Sequence, residues 1–377
     1  MKQIIYLDNA STTKVDEEVL KTYNEVINGY MGNASSIHSL GVESSRLVLK
    51  SKENILRLLN MPNHEVIFTS GATESNNLAL KGIAPNYQNR GKHIIVSSIE
   101  HPSVLESAHQ LEEMGFSITY LPVNKEGKVE LVELKKSLRE DTILVSIMAV
   151  NNEVGSINNI EEIAKLLKQY PKVFFHVDAV QAIGKIDINY QDVDLLTFTS
   201  HKIHGVIGTG CLVKRKGISL HPVMAGGGQE NNERSGTYNV PGIVALAKAL
   251  RLSLERQKAS FNHIKELVKP LYEYFSHNSE EYEINSSLDN PFVVNVSLKK
   301  KKAAVIVEGL SQRGIMISSI SACHSKGEKV SYVLQEMKHD EVLSHNTLRI
   351  SLSNENTLDE VNTLINNLDE LVKGVRG

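Results

Sequence analysis

The sequence predicts an α/β protein in which a mostly parallel sheet lies between helices in a large domain, with a smaller α+β domain beside it. Three observations carry this expectation. Between about residues 65 and 215, short apolar runs alternate with amphipathic segments. In the last third, strand-like runs become sparse and helical stretches lengthen. A chain of 377 residues also exceeds what one small core serves.

Taken in order, helices are expected at 16–28 and 39–60. Strands are expected at 65–69, 93–97, 118–121, 143–147, 173–177, 195–199 and 210–213. Amphipathic stretches at 102–114, 131–138 and 160–169 separate several of them, so the strands read as a parallel sheet covered on both faces. A long helical region opens at 241. Beyond it, strands at 292–296 and 347–352 interleave with helices near 302–313 and 357–374. The large domain is therefore set at 16–255, and the small one at 1–15 together with 256–377. The lysine run at 299–302 is expected as a solvated turn opening a helix.

Composition narrows the function classes. Hydrophobic content of 41% and charged content of 23% belong to an ordinary globular chain. A net charge of −3 gives no global attraction to nucleic acid or to a membrane surface, and neither is expected as a direct partner. No apolar run is long enough to cross a bilayer, and no apolar leader precedes Tyr6, so a cytoplasmic location is expected. Two cysteines, Cys211 and Cys323, do not form a disulfide framework in a chain this long. No metal site is expected.

Four segments carry chemistry. Thr199-Ser200-His201-Lys202 follows an apolar strand, and the C-terminal ends of such strands are where open α/β sheets bind ligands. A lysine held there, desolvated and near other cations, has the lowered pKa that makes an amine nucleophilic and able to form a Schiff base. Taken alone, a lysine after a strand is more often an exposed end residue. Asp178 closes the strand before it, placed to pair with a pyridinium nitrogen and keep pyridoxal phosphate an electron sink; capping a following helix is the alternative. Gln181 lies three residues on, within reach of a ring hydroxyl on the same face. Residues 68–76 read as strand, glycine turn and helix start, where free N–H groups and the hydroxyl of Thr73 suit a phosphate, although most such junctions are only turns. His101, before Pro102, could stack on a ring and exchange protons near neutral pH, or be structural.

At these residues the chain resembles the class V aminotransferase branch of fold-type I pyridoxal-phosphate enzymes, and within it the NifS/IscS cysteine desulfurases. The resemblance runs nearly end to end, through motifs at 6–13, 32–41, 69–77, 100–104, 150–155, 176–184, 200–205, 226–240 and 318–325. It implies the PLP-dependent transferase fold, pyridoxal 5'-phosphate as cofactor and Lys202 as the Schiff-base lysine. It further implies Asp178 at the pyridinium, Gln181 at the ring hydroxyl and His101 stacked on the ring. Thr73, Thr199 and His201 would hold the phosphate, with backbone from Ala72. Thr237 would reach the phosphate of the neighbouring subunit in a homodimer. Asn152 and Arg349 would orient the substrate, and the planar fork of Arg349 suits a carboxylate better than a lysine would.

Cys323 lies in a polar stretch with serine, glycine and lysine neighbours, which predicts a mobile exposed loop whose positive field favours thiolate. Cys211, among Gly, Leu and Val, reads as core. The implied reaction takes sulfur from L-cysteine onto Cys323 as a persulfide, leaving L-alanine. The acceptor would be a partner protein, either an iron–sulfur scaffold or a tRNA-thiolation enzyme, and the Lys326/Lys329 pair hints at an acidic partner surface. A selenocysteine lyase, or another class V aminotransferase-like enzyme, would use the same cofactor residues without a transferable thiol. Four positions depart from the family pattern: Ile320, the Gly205–Gly208 stretch, Ala34 and residues 229–233. They bear on loop motion and partner choice rather than on the proposed catalytic groups.

Overall fold

The computed structural model describes residues 4–319, 330–338 and 340–374. Cys323, Ile320, Lys326 and Lys329 therefore lie outside the described residues. A two-residue strand β1 (Ile5–Tyr6) is followed by helices α1 (Glu17–Gly29) and α2 (Ser39–Leu58). Asp16 caps α1 by accepting from the Glu18 N–H, and two acidic residues in the first turn complement the helix dipole. Next come β2 (His64–Thr69), α3 (Ala72–Tyr87), β3 (His93–Ser97), α4 (Pro102–Glu113), β4 (Ser117–Leu121), α5 (Leu131–Ser137) and β5 (Thr142–Ser146). They lead to α6 (Ile160–Leu167), β6 (Phe174–Asp178), β7 (Leu195–Thr199) and β8 (Gly210–Arg215).

Among the described residues, β2 to β8 form one seven-stranded sheet in the order β2-β8-β7-β6-β5-β3-β4. β8 runs antiparallel to both its neighbours, and the other pairings are parallel. Every residue of β3, β5 and β7 is buried, which is why these strands read as unbroken apolar runs rather than alternating ones. The five strands β2, β3, β5, β6 and β7 all point the same way, so their C-terminal ends open on one edge. The strand order reverses between β3 and β5, where open sheets of this kind form a binding crevice.

One apolar core packs α1, α2, α6 and the first half of α7 (Val240–His277) on one face of the sheet, with Val19, Val48, Phe175 and Leu246 in it. Helices α3 and α4 cover the opposite face through Leu78, Ile83 and Val104. The second half of α7 supplies Ile264, Leu271 and Phe275 to a separate core. That core also packs β9 (Tyr282–Ile284), β10 (Val293–Leu298), α8 (Ala303–Gln312), β11 (Ile315–Met316), β12 (Ser318–Ser319), β13 (Thr347–Ser351) and α11 (Leu358–Lys373), whereas α9 (Tyr332–Glu336) packs with Ile99, Val123 and Val154, and α10 (Glu341–His345) lies against α9. A four-stranded sheet, β12-β13-β10-β9, lies at the centre of this second body, and β1 pairs in parallel with β11. The N-terminal segment thus belongs to this second body. Lys302 opens α8, and Lys299 and Lys300 pair with Glu283 and Glu281.

One local expectation changes. The segment after Asp178 forms hydrogen-bonded turns rather than a regular helix, with the N–H groups of Ala182 and Ile183 both donating to Ala179 O. The helix start at residue 72 extends for 16 residues as α3.

Candidate active site

The strand ends deliver the site. Lys202 sits in a single helical turn directly after β7, Asp178 closes β6, His101 follows β3 and caps α4, and Asn152 follows β5. The turn after β2 brings Ala72 and Thr73 at the start of α3. With Gln181, Thr199, His201 and Arg349, these residues line one cavity of about 1100 Å³. Ten of the positions singled out in the sequence therefore meet in one place. Thr237 does not line this cavity and is exposed.

Asp178 is buried and spoken for on both oxygens: one accepts from the Asn76 amide at 2.8 Å and the other from the Val180 N–H at 3.0 Å. The second contact caps the turn that replaces the expected helix. The Gln181 amide donates to Ala10 O at 2.9 Å and accepts from Lys185 Nζ at 3.0 Å. Lys202 Nζ donates to the carbonyls of Ala10 and, at 2.7 Å, Ser11. The N-terminal segment, from the other apolar body, therefore closes over the lysine.

His101 Nδ1 accepts from the Ser103 N–H at 3.1 Å, which leaves Nε2 for the cavity. Burial lowers its pKa, the Asp178 charge opposes that shift, and Lys202 adds to it. The ring is therefore neutral near pH 7. His201 is held at about 4 by burial, then by the charges of Lys202 and Lys185. Its Nδ1 lies 3.1 Å from the Thr199 hydroxyl. That hydroxyl spends its own hydrogen on Thr209 O at 3.1 Å, so it accepts from the Nδ1–H of His201.

The N-terminus of α3 forms the rest of an anion cradle. Its N-cap is Gly71, which supplies no side-chain cap, so the first-turn N–H groups face the cavity's edge unsatisfied by a side chain. β8 passes close beneath it: a Cβ on Gly210 would lie 2.5 Å from the Gly71 carbonyl carbon, so only glycine fits there. Glu74 stands in the same turn, where a bare carboxylate would repel a phosphate. Arg234 grips it at 2.6 and 3.1 Å, and the Ser70 N–H donates at 2.7 Å. Burial alone would raise the Glu74 pKa, but these bonds lower it, so the pair stays ionised and nearly neutral as a unit.

On the opposite wall, Arg349 of β13 is buried and donates to Asn152 O at 3.0 Å, to Asp8 Oδ1 at 2.9 Å and to Ser11 Oγ at 2.6 Å. Its Nε and the Asn152 Oδ1 are buried without a hydrogen-bond partner among the described residues. A buried donor left unpaired costs about 1–3 kcal/mol, so these atoms mark where a polar ligand completes the site. Residues 330–332 close the wall: Ser331 Oγ donates to Glu153 Oε2 at 2.7 Å and Tyr332 Oη to Glu100 O at 2.6 Å. Burial raises the pKa of both glutamates.

Cys323 lies outside the described residues. Cys211, on β8, is fully buried, and burial pushes its thiol well above the usual range, followed by the Glu230 charge. It is inert core, as its apolar neighbours indicated. Sequence reasoning did not single out Asn76, Asp8, Ser11 or the Glu74–Arg234 pair. Motifs at 6–13 and 69–77 contain most of these residues, but the pairings span 102 to 341 positions and leave no local signal.

A pyridoxal-phosphate group fits what is present: an amine on Lys202, a carboxylate on Asp178, and a phosphate-sized cradle at α3 with unsatisfied donors. Among the described residues, no cluster of side chains is arranged to hold a metal ion, and no helix is long and apolar enough to cross a membrane.

The chain is similar to known proteins along nearly its whole length. The aminotransferase class-V family model matches residues 5–364. Cysteine desulfurase IscS of Dictyoglomus turgidum is 39% identical, covering 100% of this chain and 96% of that protein. A NifS/IcsS protein homolog of Lactobacillus delbrueckii subsp. bulgaricus is 41% identical, covering 98% of this chain and 97% of that protein. Among solved structures, a NifS-like protein superposes with a TM-score of 0.91 at 36% identity, covering 98% of this chain and all of that one.

Proposed function

Because this chain belongs to the aminotransferase class-V family and is a pyridoxal-phosphate-dependent cysteine desulfurase, we propose that the residues gathered at the cavity perform that reaction in the following roles. The observation that carries the assignment is the convergence of Lys202, Asp178, His101 and Asn152 from neighbouring strand ends on the pocket that Arg349 enters from the other body.

Bound pyridoxal phosphate supplies an electron sink for the charge left when a Cα proton departs. Lys202 anchors it, and once released serves as the base for that proton. Asp178 would hold the proton on the ring nitrogen, and Gln181 would meet the ring hydroxyl. Ala72 N–H, Thr73, Thr199 and His201 receive the phosphate. His101 would cover the ring and, neutral at pH 7 with Nδ1 taken by the Ser103 N–H, present an Nε2–H toward the substrate sulfur. Arg349 and Asn152 hold the substrate carboxylate and fix which bond at Cα lies over the ring. The Cys323 thiolate then attacks the substrate sulfur. The S–S bond forms as the Cβ–S bond breaks, and the carbon skeleton leaves as L-alanine.

Residues 16–255 form the cofactor-binding domain in this reading, and 1–15 with 256–377 the smaller one. The separate apolar cores of the two halves of α7 support that division. The protein acts as a cytoplasmic homodimer. Exposed apolar side chains between residues 27 and 49 support a covered surface there, with Met31 86% and Ile37 99% exposed, and so does an exposed Thr237 away from its own cavity. Sulfur leaves Cys323 for an acceptor protein, an iron–sulfur scaffold or a tRNA-thiolation enzyme. The test is L-alanine formed from L-cysteine by purified protein with pyridoxal phosphate, with mass spectrometry for one added sulfur on Cys323. Alanine without a sulfurated cysteine would replace this reading with a lyase.

A further inference from the structure

We infer that Lys185 is a positioning residue that locks the Gln181 amide in one orientation, so that an N–H, and not the carbonyl oxygen, faces the cofactor's ring hydroxyl. The inference rests on the reading of Gln181 given above and extends it one residue outward.

A glutamine amide is nearly symmetric in shape, and only its partners decide which end is oxygen. Here both partners are one-sided. Lys185 Nζ, 3.0 Å from Oε1, is a donor when charged, and Ala10 O, 2.9 Å from Nε2, can only accept. Reversing the amide would set oxygen against oxygen at Ala10 and nitrogen against the ammonium at Lys185. With the observed orientation, Nε2 spends one hydrogen on Ala10 and keeps a second, and Gln181 lines the cavity. Removing Lys185 removes one of the two discriminating contacts.

The placement of Lys185 argues for this role over a generic structural one. Among the described residues it forms no ion pair with a carboxylate, and its hydrogen bond is to Gln181. Burial, followed by the charges of Lys202 and Arg349, brings it down to about 7. A half-buried lysine without an acidic partner adds little to stability, and the side-chain contact its placement serves is the one to Gln181. An anionic cofactor in the adjoining cavity favours its charged form, the form that selects the amide oxygen.

The experiment uses the holoenzyme and reads two quantities: the dissociation constant for pyridoxal phosphate, and the pH at which its visible absorption band titrates. Lys185→Met should weaken binding by about tenfold, a typical effect of losing one oriented hydrogen bond. It should also move the band's titration upward, because the ring oxygen then keeps its proton to higher pH. Lys185→Arg, still a donor-only cation, should restore both. In a Gln181→Ala background, Lys185→Met should add nothing. If Lys185→Met does not fold, Lys185→Gln takes its place, since an amide both donates and accepts and selects neither orientation. An unmoved titration in either variant, or an equal loss with Gln181 already absent, overturns the role of Lys185. A silent Gln181→Ala instead overturns the reading of Gln181 itself.

Discussion

The Asn76 amide donates to Asp178 at 2.8 Å, joining the first turns of α3 to the end of β6 across 102 positions of sequence. The N-terminal turn of α3 and the Asp178 carboxylate, proposed above as phosphate cradle and ring-nitrogen partner, are thereby fixed relative to each other. Asp178→Ala should lower turnover by at least about a hundredfold and weaken cofactor binding, since the ring nitrogen then loses its proton partner. Asn76→Ala, which keeps the carboxylate but loosens it, should cost about tenfold in cofactor affinity. Steady-state kinetics and cofactor titration measure both. Near-normal turnover in Asp178→Ala would reduce the residue to its hydrogen bond with Val180.

Lys202→Ala should abolish the visible absorption of the purified protein and its desulfurase activity while leaving the melting temperature close to wild type. The lysine's hydrogen bonds to Ala10 and Ser11 go to backbone carbonyls, so its loss should disturb the fold little. A retained visible band in this variant would move the cofactor's anchor to another lysine.

Arg349→Lys should raise KM for L-cysteine by about 10- to 100-fold. A lysine keeps the charge but gives up the planar fork, and it cannot satisfy Asp8, Ser11 and Asn152 while also meeting a carboxylate. An unchanged KM would place the substrate carboxylate elsewhere.

Cys323→Ala and Cys323→Ser should both retain cofactor and lose alanine formation by about a thousandfold or more, because a hydroxyl near pH 7 carries no useful anion fraction. Cys211→Ala should leave turnover nearly intact and cost about 1–2 kcal/mol in stability by emptying a packed site on β8. Wild-type rates in Cys323→Ala would defeat the sulfur-transfer step.

Stability should fall on acidification. Burial lowers His93 and His201 to about 4 and His176 to about 3, against about 6.5 in an unfolded chain. The folded protein therefore keeps these rings neutral while the unfolded chain takes up protons. The contribution is complete above about pH 6.5 and is lost as pH drops toward 4 and 3. His176 shows the cause: it is enclosed between the hydroxyls of Ser146 and Thr197 at 2.8 and 3.0 Å. Denaturant unfolding between pH 7 and 4 should show this slope, reduced in His176→Gln. An unaltered slope in that variant would assign the acid sensitivity to other groups.

The central sheet was legible because its strands are buried on both faces. Residues 93–97 and 195–199 appear as bare apolar runs between polar turns, and the structure starts and stops them at the same positions. The chemistry at strand ends was legible for the same reason: a polar residue directly after such a run has few places to be. What escaped lies across the chain. Strands β1, β11 and β12 have two residues each, too few to show any periodicity, and exist only because partners from distant segments pair with them. The turn after Asp178 looked helical from its composition, since Ala-Val-Gln-Ala is compatible with either shape. The requirement for glycine at 210 comes from the approach of Gly71, which no spacing rule reports.

The hydrogen bond between Arg349 and Asp8 closes a loop of 341 residues. Such a contact adds almost nothing to the nucleation of folding, because the entropy of bringing its ends together must be met before it gains anything. A ribosome releases Asp8 long before it makes Arg349, so the nascent chain can complete the seven-stranded sheet and the anion cradle while the substrate grip is still absent. The strands that lead to Asp178 and Lys202 are therefore made well before β13 brings Arg349.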